Sequence, residues 1–385
     1  MINYKELDVK IKNIEGFCLS SPYGDGNSFG QPLGLKSIGF VKIETDLGIC
    51  GYGETYAAVY APELIEPVVS FFKDYVIGKL ISDDNICKKL TSIPFIGRNG
   101  LLQSIISAIN IAIWDLRGKV LELPCHKILN SNGYNKVKVY ASSGTAVFSP
   151  EKINHDVNQI LEKGYLSYKM RVGVQEWAID LKRIESARSA LKNNELMIDA
   201  IMGTINPPWS EKQATIFAKN ISGFDIKWLE EPVHPENIKG LQELCNEKIV
   251  PIAAGEAYNG NTEYDLILEK RAVDILQFDA THSGGINFCF NLAKKSNKLG
   301  IKNAVHVWGS AIAISANAHL ALSLAEIEYL EMPMVSLEIT DHMWIQKPQI
   351  SKGFWVSNDV PGLGIDISDN LRDKYPLKKG SGYRI

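Results

Sequence analysis

Residues 226–256, IKWLEEPVHPENIKGLQELCNEKIVPIAAGE, decide the fold. Two short apolar runs in this stretch end on acidic residues, Glu230 and Glu256, at a spacing of 26 residues. That spacing is the length of one β-strand, one crossover helix and the two loops that join them. The stretch therefore predicts one repeat of a parallel strand and a helix, with a carboxylate at the end of each strand.

The same pattern continues on both sides of this stretch. Polar residues close other short apolar runs at Asp199, Asp279, His306 and Glu331. Neighbouring members of the series are 23 to 31 residues apart, so each step again accommodates one strand and one helix. In a (β/α)₈ barrel the functional side chains lie at the carboxyl ends of the strands. We interpret the series as the rim of an active site.

Eight strand candidates alternate with helical stretches, and eight is the number that a closed barrel requires. The strand candidates are residues 137–141, 167–172, 196–200, 226–230, 250–254, 275–278, 303–307 and 329–332. Helix signals lie between them, for example Ser149-Pro150-Glu151, which provides a cap, a first-turn proline and an acidic start. We therefore predict a (β/α) barrel over residues 129–345.

The residues outside the barrel predict a second, smaller domain. Residues 1–128 begin with strand-like alternation at 39–45 and continue into a nearly all-apolar helix at 105–114, which is typical of an α+β module. Residues 346–385 return to short strand and loop patterns, and we expect them to pack on the first module. The predicted fold class is α/β, a modified TIM barrel with an N-terminal α+β capping domain that the C-terminal segment completes.

Composition argues against two classes of partner. The chain has 41 Lys and Arg against 44 Asp and Glu, a formal charge of −3, and no basic run, so nucleic acid and anionic membranes are not expected as partners. Six scattered cysteines without a C-x-x-C spacing, and a start without an apolar signal region, predict reduced thiols and a cytoplasmic protein. The sequence lacks a run of about 18 apolar residues, so no membrane span is expected.

Three carboxylates at successive strand ends, Asp199, Glu230 and Glu256, predict a metal site. Oxygen ligands without Cys or His neighbours suit a hard cation, and Mg²⁺ fits best because it leaves positions open for water or substrate. A metal also explains how three like charges can share one mouth. The alternative is that each is an ordinary solvated loop residue, and three at successive strand ends weaken that interpretation.

Asp279 and His306 lie on the next two predicted strands and are therefore expected to be neighbours. A carboxylate bonded to an imidazole orients the ring and raises its basicity, which makes a general base. The alternative is a histidine that is merely packed at a strand end. The pairing with Asp279 beside a metal site favours the base.

Lys169 and Arg171 lie on one face of the second predicted strand, because residues i and i+2 of a strand point the same way. They could hold a substrate carboxylate and stabilise a developing enolate oxygen. Lysine can also act as a base when its pKa is depressed, whereas arginine stays protonated. The alternative is a basic pair that only balances the acidic ring.

The sequence resembles the enolase superfamily, and within it the mandelate racemase and muconate lactonizing enzyme family. The segments that carry the resemblance are GYGE (51–54), ISAINIAIWDLRGK (106–119), WLEEP (228–232), GE (255–256), Asp279 with SGGI (283–286), HVWGSA (306–311) and PGLG (361–364). The resemblance implies a capping domain over a modified barrel and one Mg²⁺ per subunit on Asp199, Glu230 and Glu256. A Lys or His base with Mg²⁺ and an enediolate is the chemistry of this superfamily.

Asp279 on the sixth strand and His306 on the seventh make the chain similar to the mandelate racemase branch, since the muconate lactonizing branch would have a lysine on the sixth. In that branch Glu331, in its protonated form, is the expected hydrogen-bond donor to the enolate. Two departures stand out. Arg171 replaces a frequent lysine, which favours one-base chemistry over racemisation. Ile201 replaces a frequent asparagine, which puts a contact to the first metal ligand in question.

The resemblance implies a sugar-acid dehydratase, a hydro-lyase that converts a 2,3-dihydroxy carboxylate to a 2-keto-3-deoxy acid through an enediolate. A racemase, epimerase or lactone cycloisomerase that uses the same enediolate is an alternative. A non-catalytic barrel is a third, although it predicts a broken site and all the residues are retained. The expected partner is a small sugar acid, and the protein is expected to form a dimer or octamer of identical chains.

Specificity is predicted to lie in the capping loops. Residues 20–30 are rich in Gly, Ser and Asn, which is typical of a mobile lid. We expect Tyr23, Asn27 and Tyr56 to contact the substrate together with Lys169. The alternative is that the three capping residues are surface residues without ligand contact. The sugar and its stereochemistry stay open at this point.

Overall fold

The computed structural model describes residues 3–24, 32–94, 96–97 and 100–384. Its strands are Ile11–Pro22 (β1), Leu35–Thr45 (β2), Cys50–Thr55 (β3), Lys136–Ser142 (β4), Ser167–Arg171 (β5), Glu195–Asp199 (β6), Ile226–Glu230 (β7), Ile252–Ala254 (β8), Ile275–Phe278 (β9), Lys302–Val305 (β10), Ile327–Pro333 (β11), Gln349–Ser351 (β12) and Phe354–Val356 (β13). Within the described ranges, no helix is both long and apolar enough to cross a membrane.

Its α-helices lie between and around these strands. They are Ile65–Val76 (α1), Asn85–Thr91 (α2), Gly100–Val120 (α3), Cys125–Leu129 (α4), Pro150–Glu162 (α5), Trp177–Leu191 (α6), Glu211–Ile221 (α7), Ile238–Glu247 (α8), Gly260–Glu269 (α9), Gly285–Lys298 (α10), Ala311–Leu322 (α11), Glu338–Asp341 (α12) and Asp369–Lys374 (α13). Ser149 caps α5 as predicted, because its hydroxyl accepts the Lys152 N–H, with Pro150 and Glu151 in the first turn.

Strands β4 to β11 are parallel, each pairs with the next, and β11 pairs with β4, so the barrel closes. The predicted barrel and the predicted order of its eight strands are confirmed. Strands β1, β2 and β3 form an antiparallel sheet that, with α1 to α4, makes the predicted cap. Inside the barrel, Tyr140, Trp228 and Tyr329 pack ring against ring and fill the interior below the carboxyl ends of the strands.

The cap and the barrel are joined through α3, which contacts both the cap sheet and α10. The carboxylate of Asp115 on α3 accepts the backbone N–H of Tyr52 at 3.0 Å and that of Leu363 at 2.9 Å. The segment after the barrel contacts both parts of the protein. Its strand β13 pairs with barrel strand β4, and its Pro376 forms a β-bridge with Leu19 of the cap sheet. Residues 346–385 are expected to pack on the cap, and the later part of this segment does so.

Candidate active site

The carboxyl ends of β5 to β11 bring the predicted barrel residues to one mouth. The strand register places Arg171 opposite Asp199, and Asp199 opposite Glu230. Asp279 and His306 follow β9 and β10, which are neighbours in the barrel. Strand order alone therefore assembles residues that are far apart in the chain.

Lys169 lies at the centre of the mouth, with 1% of its surface exposed. Its Nζ is 2.6 Å from Glu230 Oε1, 2.9 Å from Glu331 Oε1 and 3.7 Å from Asp199 Oδ2. Burial alone lowers the pKa of Lys169, but the neighbouring carboxylates outweigh it and hold that pKa well above its usual value. Lys169 is therefore a cation that can bind a carboxylate, and it is not available as a base.

Arg171 lies at the side of the cavity. Its guanidinium stacks 4.2 Å from the centre of the Trp308 ring, and its Nε is 3.8 Å from Asp199 Oδ2. Nη2 also reaches Ser142 Oγ at 3.5 Å. An arginine that is stacked and paired in this way presents a planar donor surface and stays protonated. It can bind substrate oxygens, and it cannot accept a proton.

Glu230 is fully buried and held by both oxygens. Its Oε2 accepts hydrogen bonds from Trp228 Nε1 at 2.9 Å and Gln277 Nε2 at 2.7 Å, while Oε1 contacts Lys169. The Gln277 side chain was not among the predicted site residues, because an amide in the middle of an apolar strand is a weak functional signal. The two neutral donors orient the carboxylate without cancelling its charge.

The predicted metal ligands Asp199, Glu230 and Glu256 are buried carboxylates. Burial is the largest cause that raises the pKa of all three, neighbouring carboxylates add to it, and Lys169 acts in the opposite direction. Among the described residues, no three or more His, Cys, Asp or Glu side chains are arranged closely enough to hold a metal ion as they stand. Lys169 lies against two of the ligands, and Glu256 turns its Oε2 to His306 Nε2 at 3.3 Å.

The donor set nevertheless suits a hard divalent cation. Only oxygens are offered, and they come from three adjacent strands. Burial raises their pKa values, so their charged form is disfavoured unless a cation neutralises it. The predicted site is chemically suitable for Mg²⁺. Glu230 contacts Lys169 and Glu256 contacts His306, so an ion on these carboxylates would compete with both side chains.

His306 is held as the sequence predicts for a base. Its Nδ1 is 3.0 Å from Asp279 Oδ2, and the other oxygen of Asp279 accepts hydrogen bonds from the Thr281 N–H and hydroxyl and from Asn317 Nδ2, each at 2.8 Å. Asp279 is buried, yet these donors and the imidazole keep its pKa below the usual value. The Nε2 atom of His306 is thereby left to face Glu256 and the cavity.

The acidic surroundings of His306 make a pH-dependent contribution to stability. Burial lowers the pKa of His306, but Glu256, Glu331 and Asp279 together raise it to about 10. Because the unfolded value is about 6.5, the protonated ring stabilises the metal-free fold fully below about pH 6.5, and this contribution is lost as the pH rises towards 10. Urea unfolding of metal-free protein at pH 6 and pH 10 should show the loss, and the His306→Asn variant should show a smaller one. An equal loss in both proteins would contradict it.

Glu331 differs from the form that the resemblance implies. It is fully buried, its Oε1 lies against Lys169, and its Oε2 accepts the Val307 N–H at 3.0 Å. Burial raises the pKa of Glu331, but Lys169 and His306 lower it to about 2. In this metal-free arrangement Glu331 is a carboxylate that pairs with Lys169.

Ile201, the second departure, has a left-handed backbone with φ of 47°. Its backbone N–H donates to Asp199 Oδ1 at 2.9 Å. The contact to the first predicted ligand is therefore made by the main chain and does not need a polar side chain. A β-branched residue is strained at positive φ, whereas asparagine tolerates it.

We therefore expect Ile201→Asn to raise the free energy of unfolding by about 1 kcal/mol through relief of backbone strain. Chemical denaturation of the two proteins measures the difference. Ile179→Asn is the matched control, because Ile179 is a partly exposed residue within α6 and gains nothing from a left-handed preference. A loss of stability at position 201 as large as that of the control would contradict the strain argument.

A cavity of about 620 Å³ opens above this mouth. Tyr23 and Tyr56, both predicted to contact substrate, line it, whereas Asn27 and most of the predicted lid lie outside the described residues. The Tyr56 ring packs edge-on against the His306 ring at 6.2 Å, and Tyr23 does the same to Trp308. The cavity therefore lies between residues of the cap and the catalytic groups at the mouth of the barrel.

Two buried charges of the cap hold the loop that follows His306. Lys36 Nζ donates to the Trp308 carbonyl at 2.7 Å, and Glu54 accepts the N–H groups of Ser310 and Ala313 at 3.0 and 3.1 Å. A side chain at Gly309 would collide with the Glu54 carboxylate, so glycine is needed there. The resemblance already included the Glu54 segment and the His306 loop, but nothing in the sequence linked Lys36 to the site.

Comparisons with known proteins agree with this architecture. A family model described as enolase C-terminal domain-like matches residues 152–371, and the mandelate racemase / muconate lactonizing enzyme N-terminal domain matches residues 32–130. The arabinonate dehydratase of Saccharolobus solfataricus is 25% identical over 345 residues, 88% of this chain and 90% of that protein. The D-galactonate dehydratase of Pectobacterium atrosepticum is 28% identical over 350 residues, 86% of this chain and 89% of that protein.

A comparison with solved structures also finds the same fold. The structure of the 3,6-anhydro-D-galactonate cycloisomerase from Zobellia galactanivorans superposes with a TM-score of 0.85 at 29% identity. The match covers 96% of this chain and all of that one. The similarity therefore extends over both the cap and the barrel.

Proposed function

The chain belongs to the mandelate racemase and muconate lactonizing enzyme family of the enolase superfamily, and we propose that it dehydrates a sugar acid. The substrate class is a 2,3-dihydroxy carboxylate and the product a 2-keto-3-deoxy acid, so the enzyme is a hydro-lyase. One observation carries the proposal: His306, oriented by Asp279 at 3.0 Å, faces a cavity whose mouth also holds the Lys169 ammonium. The similarity to two sugar-acid dehydratases over nearly the whole chain supports it.

Asp199, Glu230 and Glu256 would hold one Mg²⁺ per subunit. When bound, the ion supplies positive charge next to the substrate carboxylate and stabilises the negative charge that builds on its oxygens during reaction. Lys169 and Arg171 bind the same end of the substrate as hydrogen-bond donors. In the metal-free protein the neighbouring carboxylates hold the pKa of Lys169 above its usual value, and Arg171 stays protonated, so both act electrostatically.

His306 performs the proton transfers. A cation on Glu256 would lower the pKa of His306, which Glu256 raises, and the unprotonated Nε2 of His306 then removes the proton from C2. Asp279 accepts the Nδ1 hydrogen bond and stabilises the imidazolium that forms. The electrons of the broken C–H bond pass to the carboxylate, which becomes an enediolate held by Lys169. The C3–O bond then breaks, the hydroxyl takes the proton from His306 and leaves as water, and the resulting enol tautomerises to the keto acid.

The two cations on β5 favour elimination over racemisation. A two-base racemase needs a second base besides His306, whereas the pKa of Lys169 is held above its usual value and Arg171 stays protonated. With His306 as the one base, the proton that leaves C2 is passed to the departing 3-hydroxyl. Loss of the 3-hydroxyl completes such a reaction.

A cycloisomerase is the second candidate. The solved structure that is 29% identical over 96% of this chain is a 3,6-anhydro-D-galactonate cycloisomerase. The same proton abstraction at C2 would then expel a ring oxygen of the substrate in place of a free hydroxyl. No water leaves, so the product has the mass of the substrate.

A substrate screen tests the proposal. Linear mono- and diacid sugars, lactones and anhydro sugars are incubated with the protein and Mg²⁺, and keto acid is read as its semicarbazone. Mass spectrometry separates dehydration, which removes one water, from cycloisomerisation, which does not. Exchange of the C2 proton in D₂O without keto acid would replace the proposal by a racemase or epimerase. Product that also forms with His306→Asn would contradict the assigned base.

Two further features remain part of the proposal. All six cysteines are free thiols, which suits the reducing cytoplasm that the sequence predicts. We also propose an oligomer of identical chains, a dimer or an octamer, and light scattering on the purified protein distinguishes the two.

A further inference from the structure

A buried lysine of the cap lies next to the active site. Lys36 is on β2, and only 1% of its surface is exposed. Burial lowers the pKa of Lys36, whereas Glu54 raises it. Burying an amine is costly unless its contacts replace the lost water, so the partners of its Nζ indicate what this lysine does.

Lys36 contacts both the main chain and the ring of Trp308. Its Nζ donates a hydrogen bond to the Trp308 carbonyl at 2.7 Å and lies 5.1 Å from the centre of the Trp308 ring, which is within the range of a cation–π contact. It lies at the same distance from the centre of the Tyr23 ring, and Tyr23 packs edge-on against Trp308 at 6.2 Å. Two residues of the cap therefore hold this tryptophan of the barrel.

Trp308 in turn orients the guanidinium of Arg171. The Cζ atom of Arg171 lies 4.2 Å from the centre of the Trp308 ring. Two polar contacts of the guanidinium are long, since Nε is 3.8 Å from Asp199 Oδ2 and Nη2 is 3.5 Å from Ser142 Oγ. An ordinary N–H···O hydrogen bond has a length of about 2.7 to 3.2 Å. The stack on Trp308 therefore fixes the plane of the guanidinium more firmly than these two contacts do.

The loop that carries Trp308 has other anchors on both sides of it. Before Trp308, His306 is held by Asp279 at 3.0 Å. After it, the Ser310 N–H donates to Glu54 Oε1 at 3.0 Å. Because these two anchors do not involve Lys36, loss of the lysine is expected to release the tryptophan while His306 stays in place.

We infer that Lys36 is a positioning residue, which holds Trp308 so that the Arg171 guanidinium is oriented to bind the substrate. This inference rests on the proposed function, because it takes Arg171 to bind substrate oxygens. Among the described residues, Trp308 and Arg171 line the cavity and Lys36 does not, so Lys36 acts through the tryptophan. Its contribution is to the binding of substrate and not to the proton transfers of His306.

Lys36→Met tests the inference, because methionine is similar in length and cannot donate to the Trp308 carbonyl. We expect KM for the sugar acid found in the substrate screen to rise about 10-fold, which is the loss of about one hydrogen bond to a charged group, with kcat within about 3-fold of wild type. Lys42→Met is the matched control and should leave both constants unchanged. Lys42 is a partly exposed residue of the same strand and does not line the cavity.

A double substitution tests whether Lys36 acts through the tryptophan. If it does, adding Lys36→Met to Trp308→Leu should change KM by less than about 2-fold, because the ring that Lys36 holds is already gone. A crystal structure of the Lys36→Met variant measures the stack directly. We expect Arg171 Cζ and the Trp308 ring to lie clearly farther apart than 4.2 Å in the variant.

Three kinetic results would overturn the inference. The first is an unchanged KM in Lys36→Met. The second is a lower kcat at unchanged KM, which indicates a merely structural role that reduces the active fraction. The third is a full 10-fold further loss in the double variant, which shows a route that bypasses Trp308. If wild type turns over no acid at all, the proposed function fails, and the crystal structure of Lys36→Met still decides. A stack that stays at 4.2 Å excludes the assignment, and a displaced guanidinium supports it.

Discussion

Replacing His306 by asparagine is expected to lower kcat by about 10³-fold or more, because a positioned general base contributes about 10² to 10⁴. Asparagine is close in size and keeps a donor near Asp279, so the fold should persist. Neither atom of its amide accepts a proton at neutral pH. Steady-state formation of keto acid measures the loss, and NMR measures whether the C2 proton still exchanges in D₂O.

Two further variants, one beside the base and one on the surface, extend the test. Asp279→Asn should reduce kcat as well, because the amide no longer stabilises the imidazolium through Nδ1. His155→Asn removes an exposed histidine of α5 and should leave kcat unchanged. Proton exchange at C2 that survives in His306→Asn would show that another residue is the base.

Removing divalent metal is expected to abolish turnover, and returning Mg²⁺ to restore it. Burial, together with repulsion between the carboxylates, raises the pKa of Asp199, Glu230 and Glu256. A divalent ion would relieve this repulsion, so Mg²⁺ should also raise the melting temperature of the chelated protein. A thermal unfolding scan against Mg²⁺ concentration measures this effect independently of activity.

Binding of Mg²⁺ should also change the pKa of His306. Glu256 makes the largest contribution that raises the pKa of His306, and an ion on Glu256 reduces it. The imidazole NMR titration should therefore move to lower pH when Mg²⁺ is added. Glu230→Gln should lose both responses, whereas Glu236→Gln, an exposed residue of the loop after β7, should keep them. Stabilisation by Mg²⁺ that persists in Glu230→Gln would place the ion elsewhere.

The sequence by itself determined the barrel, its strand order and the residues that assemble at its mouth. Each of these follows from local spacing, because the length of one strand, helix and loop pair decides where the next polar residue emerges. The pairing of Asp279 with His306 is an example. Two residues at the ends of consecutive parallel strands must become neighbours, and the structure joins them at 3.0 Å.

Only the tertiary structure decided the protonation states and the wall of the cavity. Lys169 and Glu331 lie 2.9 Å apart in the closed barrel, and this buried contact raises the pKa of Lys169 and lowers that of Glu331. Lys36 and Tyr383 reach the site from the cap and from the segment after the barrel. Their positions depend on packing between residues that are distant in the chain, and no local periodicity encodes such contacts.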